Sequence, residues 1–533
     1  MTRYRHLITE DNAKWWTLGA MCFALFMIML DNTVVNVALP SIERDLGSSI
    51  SALEWTVSGY TLAFAVTLVT GGRLGDIFGR RRAFLFGVVL FALSSATAGL
   101  APDTTSLIVS RVVQGIGAGF MMPATLSIVT HAFHPSERGK AIGTWAGVSA
   151  LALAIGPVLG GFLTEHVSWR AIFYINIPVA VAAVVATLFA VRESRDETVG
   201  REVDYAGVVT LTGALSALLL ALIEGNSWGW SSTATIGLLV GSVVFGALFV
   251  AIELRVKAPI IQFNLFRNRD SIGANLIALV VTFAMMAQFF FIALYMQNIL
   301  GYSPLAAGVR FLPATLMIVI IAPLAGRLTD RIGAKLPIAV GLTLVTGAMF
   351  WLTTVNASST YSDFFPSFIL MGIGMALVMS PMSTAAMNAV ATAKAGVASG
   401  ILSMNRMVGG SLGVAVVGAV FQSDVRSKLD QLLSSSSGLS AVQRDTLAQN
   451  LAGGQTAAPP GSTHAQSQQI VSAGHDAFVS AFASSMRVAT AVSAAGVVVA
   501  IAFISSKKAK HVEVPAGAST AAAELATGEE ALV

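Results

Sequence analysis

The chain alternates between long apolar runs and short charged or glycine-rich breaks. A helix that crosses a hydrocarbon core about 30 Å thick needs roughly 20 apolar residues. Fourteen runs are long enough, and we predict one membrane-spanning helix for each: 17–39, 51–71, 83–101, 105–130, 139–164, 170–191, 205–224, 233–253, 271–298, 305–326, 337–355, 362–390, 396–421 and 484–506. The chain is therefore expected to be an all-α polytopic membrane protein.

Composition supports this class. Hydrophobic residues make up 55% of the 533 positions and charged residues only 11%, so a soluble chain could not bury so much apolar surface. Cys22 is the only cysteine, which excludes a disulfide framework and a cysteine metal site. The seven histidines are scattered and no GxxxxGK[ST] motif occurs. We therefore expect no metal site, no enzyme activity and no ATP-driven pump.

The positions of Lys and Arg predict the orientation. If the N-terminus is cytoplasmic and the helices alternate, 23 of the 32 cations lie in the inner turns and the two tails. The positive-inside rule favours this arrangement, because the opposite one would translocate most of the cations. We expect a multi-pass protein of the plasma or inner membrane with both termini in the cytoplasm.

A charged turn occurs twice along the chain. GGRLGDIFGRRR at 71–82 is followed 254 positions later by GRLTDRIGAK at 326–335. The two copies share Gly, Arg, Leu, Asp and Gly in one frame, and the pairs that matter most are Gly72 with Gly326, Asp76 with Asp330, and Gly79 with Gly333. A repeated cytoplasmic turn of this kind is typical of a transporter built from two similar halves.

A second repeat predicts how the halves are arranged. GIGAGFMMP at 115–123 in the fourth run is similar to GIGMALVMSP at 372–381 in the twelfth. The offset is eight helices rather than six, so two extra helices must lie between the halves. We predict a 6+2+6 arrangement of two pseudo-symmetric six-helix bundles. Its segments are an N-terminal bundle at 1–200, two inserted helices at 201–262, and helices 9–13 of the C-terminal bundle at 263–421, with the last helix at 484–506.

Two segments fall outside the predicted bundle. Residues 422–483 are rich in Ser, Gly, Gln and Pro, and we expect a mobile extracytoplasmic loop there. The helical spacing of its first apolar residues, Val425, Leu429, Leu432 and Leu433, favours one amphipathic surface helix. The tail at 507–533 begins with lysines and is expected to be disordered.

Four blocks, joined by the charged turn at 71–82, resemble the fourteen-helix drug:proton antiporter branch of the major facilitator superfamily. They are LDNTVVNVALP at 30–40, RVVQGIGAG at 111–119, AIGPVLGGFL at 154–163 and WRAIFYINIP at 169–178. The resemblance extends from about residue 14 to 421 and over the last helix. It implies the major facilitator fold and proton-driven export of lipophilic, often cationic compounds, including antibiotics and dyes.

Asp31 is the first candidate for proton coupling. It lies nine residues before Pro40, hence about 13 Å below the outer edge, where an acid costs roughly 2.5–3.5 kcal/mol and is functional by default. Arg111 lies about 9 Å deep on the fourth helix, so the two can pair. Gln114 is one turn further on. The resemblance implies that this aspartate takes part in proton coupling; the alternative is a static ion pair that fixes helix packing.

The charged turn is the candidate cytoplasmic gate. The resemblance implies that it latches the two halves together on the inner side, and glycine allows a tight turn with close approach. A topology signal alone would explain the arginines but not the repeated Gly and Asp positions. The candidate gate residues are Gly72, Arg73, Asp76, Gly79, Arg80, Arg81, Asp330 and Arg331.

The fifth helix contains Gly156, Pro157, Gly160 and Gly161. Small residues at this spacing let helix backbones touch, and proline removes a helix hydrogen bond. The resemblance identifies this block as the antiporter signature, with Ala152 in place of the glycine expected four residues before Gly156. Ordinary close packing is the alternative interpretation.

Methionine and aromatic side chains suit an adaptable substrate cavity. The candidates are Phe283, Met286, Phe290, Met375, Met379 and Arg406, although core or lipid-facing packing explains the apolar ones equally well. Helices 9–14 contain no deeply placed Asp or Glu. We therefore expect monovalent cations, zwitterions or neutral lipophiles as substrates, and Arg406 would favour an anionic group.

Together these features predict secondary active efflux by alternating access. The driving force would be the proton gradient, with no cofactor, and the partners would be protons, a lipophilic small molecule and the lipid bilayer. Nucleic acid is not expected as a partner, and a monomer is expected. Two alternatives stay open: a dedicated exporter of one endogenous metabolite or self-made antibiotic, and a non-transporting membrane sensor.

Overall fold

The structure is a computed structural model that describes residues 10–133, 137–195, 204–256, 259–261, 267–390, 395–433 and 464–506. Within these residues all regular structure is helical and no strand occurs. Thirteen candidate spans are long and apolar enough to cross a membrane, and α5 is one further helix of 29 residues. The chain is thus a multi-pass membrane protein.

The first half comprises the helices α1 Glu10–Leu46, α2 Ile50–Phe78, α3 Arg80–Gly99, α4 Thr104–Ala132, α5 Arg138–His166, α6 Ala171–Tyr174 and α7 Asn176–Ala190. The helices α8 Tyr205–Trp228 and α9 Thr233–Glu253 follow. The second half comprises α10 Arg269–Asn298, α11 Pro304–Arg310, α12 Leu312–Ile332, α13 Lys335–Leu352, α14 Tyr361–Asn388, α15 Ala395–Leu433 and α16 His464–Phe503. Together α6 and α7 make one span, as do α11 and α12.

The two ends of the bundle are named here by the predicted orientation. The inner end holds the turns at Gly79 and Gly333, where both glycines have positive φ (116° and 86°) that L side chains rarely adopt. The outer end holds the turn before α4, where the Asp103 carboxylate caps the helix by accepting a hydrogen bond from Ser106 N–H. All three turns are therefore fixed by local residue chemistry.

The repeat in the sequence is present as equivalent helix contacts. A Cβ on Gly117 of α4 would lie 2.9 Å from the carbonyl oxygen of Gly87 on α3. A Cβ on Gly374 of α14 would lie 2.7 Å from the carbonyl oxygen of Gly341 on α13. Only glycine allows two backbones to approach so closely. The same pair of helices is thus packed in the same way in each half.

The glycine-rich helices α5 and α15 are a second equivalent pair. Gly160 of α5 packs on Val34 of α1, where an added Cβ would lie 2.8 Å from the Val34 carbonyl oxygen. Gly413 of α15 packs on the backbone of Phe283 of α10 in the corresponding way. Small residues at the interfaces of membrane helices allow backbone contacts of this kind.

The inserted helices occupy the space beside both halves. The helix α8 packs on α9 and also contacts α2 and α15. Only 11% of the most apolar window of α9 is buried, so this helix presents most of its surface to the bilayer. Of the two inserted helices, α8 is therefore the one that makes the main contacts with both halves.

The last two helices are longer than predicted. The helix α15 continues to Leu433 and α16 begins at His464, whereas we predicted spans ending at 421 and starting at 484. The predicted surface helix is wrong: its apolar residues continue the buried face of α15, and Val425, Leu429 and Leu433 are fully buried. The helical periodicity was correct, but the preceding helix continues in the same phase. The middle of the predicted loop and the tail at 507–533 lie outside the described residues.

Candidate functional site

A buried ion pair links α1 to α4. Nη1 of Arg111 lies 2.5 Å from Oδ2 of Asp31, and the side chains are 2% and 0% exposed. Gln114 joins both partners: its Oε1 accepts a hydrogen bond from Arg111 Nη1 at 2.7 Å, and its Nε2 donates to Asp31 Oδ1 at 3.0 Å. The three residues that we proposed for proton coupling therefore form one network.

The helix α2 holds the guanidinium from the other side. Nε of Arg111 donates to the carbonyl oxygen of Thr56 at 3.1 Å, and Cζ of Arg111 lies 4.1 Å from the centre of the Tyr60 ring. An aromatic face in this position attracts a cation. The charge of Arg111 is thus compensated by a carboxylate, a carbonyl and a ring.

Two residues of the network were not singled out from the sequence. Asn176 at the start of α7 donates to Asp31 Oδ1 at 3.4 Å and to Ser95 Oγ at 3.0 Å. Ser95 of α3 also accepts a hydrogen bond from Gln114 and donates to the carbonyl oxygen of Phe173 at 2.8 Å. The only signal was the position of Asn176 inside the block WRAIFYINIP; Ser95 lies in an unremarkable run of small residues.

The equivalent positions in the described part of the second half do not repeat this network. When Gly117 is matched with Gly374, Phe368 and Met371 of α14 take the positions of Arg111 and Gln114. When Val34 is matched with Phe283, Val280 of α10 takes the position of Asp31. All three are buried in the apolar core. At these described positions the two halves therefore share the backbone arrangement but not the side-chain chemistry, and the ion pair of Asp31 with Arg111 is not repeated.

The inner turn is held by contacts within the first half. Arg80 Nε pairs with Asp76 Oδ1 at 2.9 Å. The Glu193 carboxylate accepts from the Arg81 backbone N–H at 3.0 Å, and Arg81 Nη2 donates to the carbonyl oxygen of Leu188 at 3.0 Å. A Cβ on Gly79 would lie 2.6 Å from the Glu193 carboxylate. These contacts fasten the turn to the end of α7 and to the segment that follows it.

The remaining gate candidates have different surroundings. The Cβ that Gly72 lacks would lie 3.3 Å from Pro123 of α4, Arg73 is half-buried, and Arg331 at the end of α12 is exposed. The side chain of Asp330 lies outside the described residues. The described contacts thus give the turn a fixed shape, and its role as a gate stays a prediction.

The glycine block on α5 contacts two helices at once. Gly156 and Gly160 face α1, where an added Cβ on Gly156 would collide with the Thr33 hydroxyl. Gly161 faces the other half, and its Cβ would lie 2.5 Å from the carbonyl oxygen of Pro304 at the start of α11. The carbonyl oxygen of Pro157 occupies the space beside Gly308 of α11. The block is therefore a backbone contact between the two halves near the outer end.

Further contacts close the outer end. The Glu165 carboxylate at the end of α5 accepts a hydrogen bond from Leu305 N–H at 2.9 Å. Gln297 of α10 donates to the carbonyl oxygen of Val37 on α1 at 2.8 Å. All of these pairs cross between the halves, so in this conformation the two bundles meet at their outer ends.

The proposed cavity residues are mostly core residues. Phe283, Met286, Phe290 and Met375 are between 0% and 7% exposed and belong to the main apolar core; Met379 is half-buried against the same core. Arg406 donates from Nη2 to Ser383 Oγ at 2.8 Å, and its Nε is buried with no hydrogen-bond partner. Of this set, Arg406 alone presents an unsatisfied polar group.

Comparison with known proteins gives the same fold and a family. Residues 21–414 match the model of the Major Facilitator Superfamily. A bacterial homologue of the human lysosomal transporter Spinster, in an inward-facing and unoccupied conformation, superimposes with a TM-score of 0.63 at 16% identity over 92% of this chain and 98% of that one. The peptide transporter POT in complex with sulfate gives 0.57 at 14% identity over 92% and 99%.

Several relatives are similar over most of both chains. The tetracenomycin C resistance and export protein of Streptomyces glaucescens is 37% identical over 77% of this chain and 76% of its own length. The multidrug resistance protein Stp of Mycobacterium tuberculosis is 37% identical over 78% and 77%. A puromycin resistance protein of Streptomyces alboniger is 37% identical over 77% and 82%.

Proposed function

Because the chain belongs to the Major Facilitator Superfamily, and is therefore a membrane transporter rather than an enzyme, we propose that it exports lipophilic drug-like compounds in exchange for protons. The names of its relatives, a multidrug resistance protein and antibiotic exporters, support this substrate class. We further propose that it acts in the cell membrane with both termini in the cytoplasm, as a monomer that needs no cofactor.

The observation that carries the proposal is the buried pair of Asp31 and Arg111. A carboxylate at this depth is stable as an anion while the guanidinium is beside it, and binds a proton when the guanidinium moves away. Both groups lie on different helices of the first half, so a shift of α4 against α1 during alternating access changes their separation. The pair can thereby convert a conformational change into proton binding and release.

The direction of exchange follows from the two access states. With the outer end open, drug leaves and Asp31 binds a proton from outside; with the inner end open, Asp31 re-forms its pair with Arg111 and the proton leaves inward. For an uncharged drug, each proton that crosses 100 mV supplies about 2.3 kcal/mol, which sustains roughly a fifty-fold drug gradient. Exchange of one proton for a monovalent cation moves no net charge and is driven by the pH difference alone. A single proton-binding carboxylate is therefore sufficient to drive a drug gradient of this size.

A narrower function is the second candidate. Two of the relatives carry the names of single antibiotics, tetracenomycin C and puromycin. A dedicated exporter of one such compound would use the same proton site and differ only in its substrate cavity. A panel of compounds therefore distinguishes the two candidates, since a dedicated exporter transports one compound and leaves dyes untouched.

The test is dye uptake by energised inverted vesicles that hold wild type or Asp31→Asn, with a monovalent lipophilic cation as substrate. Asp103→Asn is the matched control, because Asp103 is exposed and asparagine caps a helix equally well. We expect uptake that collapses with a protonophore, is lost in Asp31→Asn and survives in the control. Uptake by Asp31→Asn equal to wild type would remove Asp31 from the mechanism.

A further inference from the structure

A second carboxylate is buried where the first half, the second half and the insert meet. Glu54 lies on α2 and is 0% exposed. Its Oε1 accepts a hydrogen bond from Nε2 of Gln422 on α15 at 3.1 Å, and its Oε2 is buried with no hydrogen-bond partner. The proposed transport mechanism has no role for this group.

The carboxyl group is seated directly on the backbone of α15. It occupies the space that a Cβ of residue 418 would fill, and position 418 is glycine. Because α2 belongs to the first half and α15 to the second, this contact crosses the interface that alternating access has to open. Glu54 thus lies in the interface between the two halves and contacts both of them.

The inserted helix α8 completes the pocket. Ser51 of α2 donates to the carbonyl oxygen of Ile223 at 3.4 Å, and Nδ2 of Asn226 donates to the carbonyl oxygen of Ala419 on α15 at 2.6 Å. The chain therefore surrounds Glu54 with three helices, one from each part of the molecule.

The charges around Glu54 disfavour its anion. From α8 the facing titratable group is Glu224, which accepts a hydrogen bond from Trp55 and repels a negative charge on Glu54. From α15 the facing group is the neutral amide of Gln422. Among the described ion pairs none includes Glu54. A buried anion without a cation is costly, so burial favours the neutral, protonated carboxyl group.

We propose that Glu54 is a second proton-binding residue, separate from Asp31, whose protonated form latches α2 to α15 at the outer end. This inference rests on the proposed alternating access, because the latch has meaning only if the outer end opens. Glu54 is four residues beyond the first residue of α2, hence about 6 Å from the outer end of that helix. Separation of α2 from α15 brings water to the carboxyl group.

The latch has a defined proton balance. When the outer end opens, hydrated Glu54 gives its proton to the outer solution and becomes a carboxylate, which is the stable form of an exposed glutamate at neutral pH. Closure buries the group again and requires one proton from the same side. Glu54 therefore carries no net proton across the membrane. It makes closure of the outer end depend on outer pH, while Asp31 carries the transported proton.

The test measures the distance between the halves at the outer end by pulsed electron spin resonance in nanodiscs between pH 5.5 and 8.5. Spin labels are placed at Thr105→Cys in the first turn of α4 and at Ser427→Cys on α15, both exposed positions, in a chain that carries Cys22→Ser and Asp31→Asn. Asp31→Asn removes the proton uptake that accompanies opening and would otherwise offset the release from Glu54. For release of one proton, the ratio of open to closed molecules rises by up to about tenfold per pH unit. We expect this rise in the Asp31→Asn chain and its loss when Glu54→Gln is added, because that chain stays closed.

Two variants control for the fold and for the other acids. Glu54→Asp keeps an ionisable group and should keep the pH dependence, while Glu224→Gln removes the neighbouring acid but not the latch and should keep it too. In the Asp31→Asn chain, a pH dependence that is the same with Glu54→Gln as with Glu54 would overturn the proposal, as would a distance that does not change with pH while Glu54 is present. The measurement needs no substrate, so a failure of the proposed export would not alter its outcome.

Discussion

Asp31 and Arg111 approach within 2.5 Å in a part of the structure that is closed to solvent, although they lie 80 positions apart in the chain. Each charge makes the burial of the other tolerable, because removing one partner of a buried pair leaves an uncompensated charge. The same dependence makes the pair sensitive to the relative positions of α1 and α4, and it leads to the first prediction.

Arg111→Gln should destabilise the protein more than the double variant Asp31→Asn with Arg111→Gln. The single variant leaves the Asp31 carboxylate buried without its cation, which costs about 3–5 kcal/mol, whereas the double variant leaves two neutral amides. Thermal unfolding in detergent measures the difference. If the double variant unfolds at a lower temperature than Arg111→Gln, the pair is not the reason for the loss. Neither variant should show proton-dependent efflux.

Gly161→Ala should hinder closure of the outer end. The added Cβ would lie 2.5 Å from the carbonyl oxygen of Pro304, and overpacking of this kind costs about 1–3 kcal/mol, or roughly 5- to 150-fold in a conformational equilibrium. We expect efflux to fall by a factor in this range. Gly147→Ala on the same helix is the control, because a Cβ there meets nothing within 4 Å. Equal efflux in the two variants would show that the α5–α11 contact does not limit transport.

Gly79→Ala should lower the melting temperature more than Gly229→Ala. Both glycines have positive φ (116° and 89°), so each alanine pays about 1–3 kcal/mol for strained backbone. Gly79 alone also meets the Glu193 carboxylate, whereas a Cβ on Gly229 meets nothing within 4 Å. Glu193→Ala combined with Gly79→Ala should recover part of the difference. A melting temperature for Gly79→Ala no lower than that for Gly229→Ala would exclude the contribution of Glu193.

Arg406→Gln should change which substrates are exported. Arg406 keeps one hydrogen bond to Ser383 and a buried Nε without a partner, so it can still bind an anionic group. We expect reduced export of anionic or zwitterionic compounds and unchanged export of monovalent lipophilic cations, measured with matched dyes in the same vesicles. Ser383→Ala removes only the hydrogen bond and serves as the control. A uniform loss for all dyes in Arg406→Gln would indicate a structural role for Arg406.

The sequence by itself determined the helices, their number and the repeated glycine contacts. Apolar runs of about 20 residues have no stable alternative to a helix in a bilayer, and glycines such as Gly117 and Gly374 repeat because two backbones touch there. It also identified Asp31, since an acid within an apolar run is conspicuous. The end of α15 was misjudged because the run of polar residues after 421 hid an apolar face that continues to Leu433.

Only the tertiary structure decided which side chains meet. Nothing in the order of residues shows that Asn176 and Ser95 complete the shell around Asp31, or that Glu54 faces Gly418 across 364 positions. Glu54 lies near the start of its run, where an acid usually faces water, so its burial depends on the arrival of α8 and α15. The pattern along the chain fixes the local elements because their causes are local, whereas the environment of a side chain depends on helices that are distant in sequence.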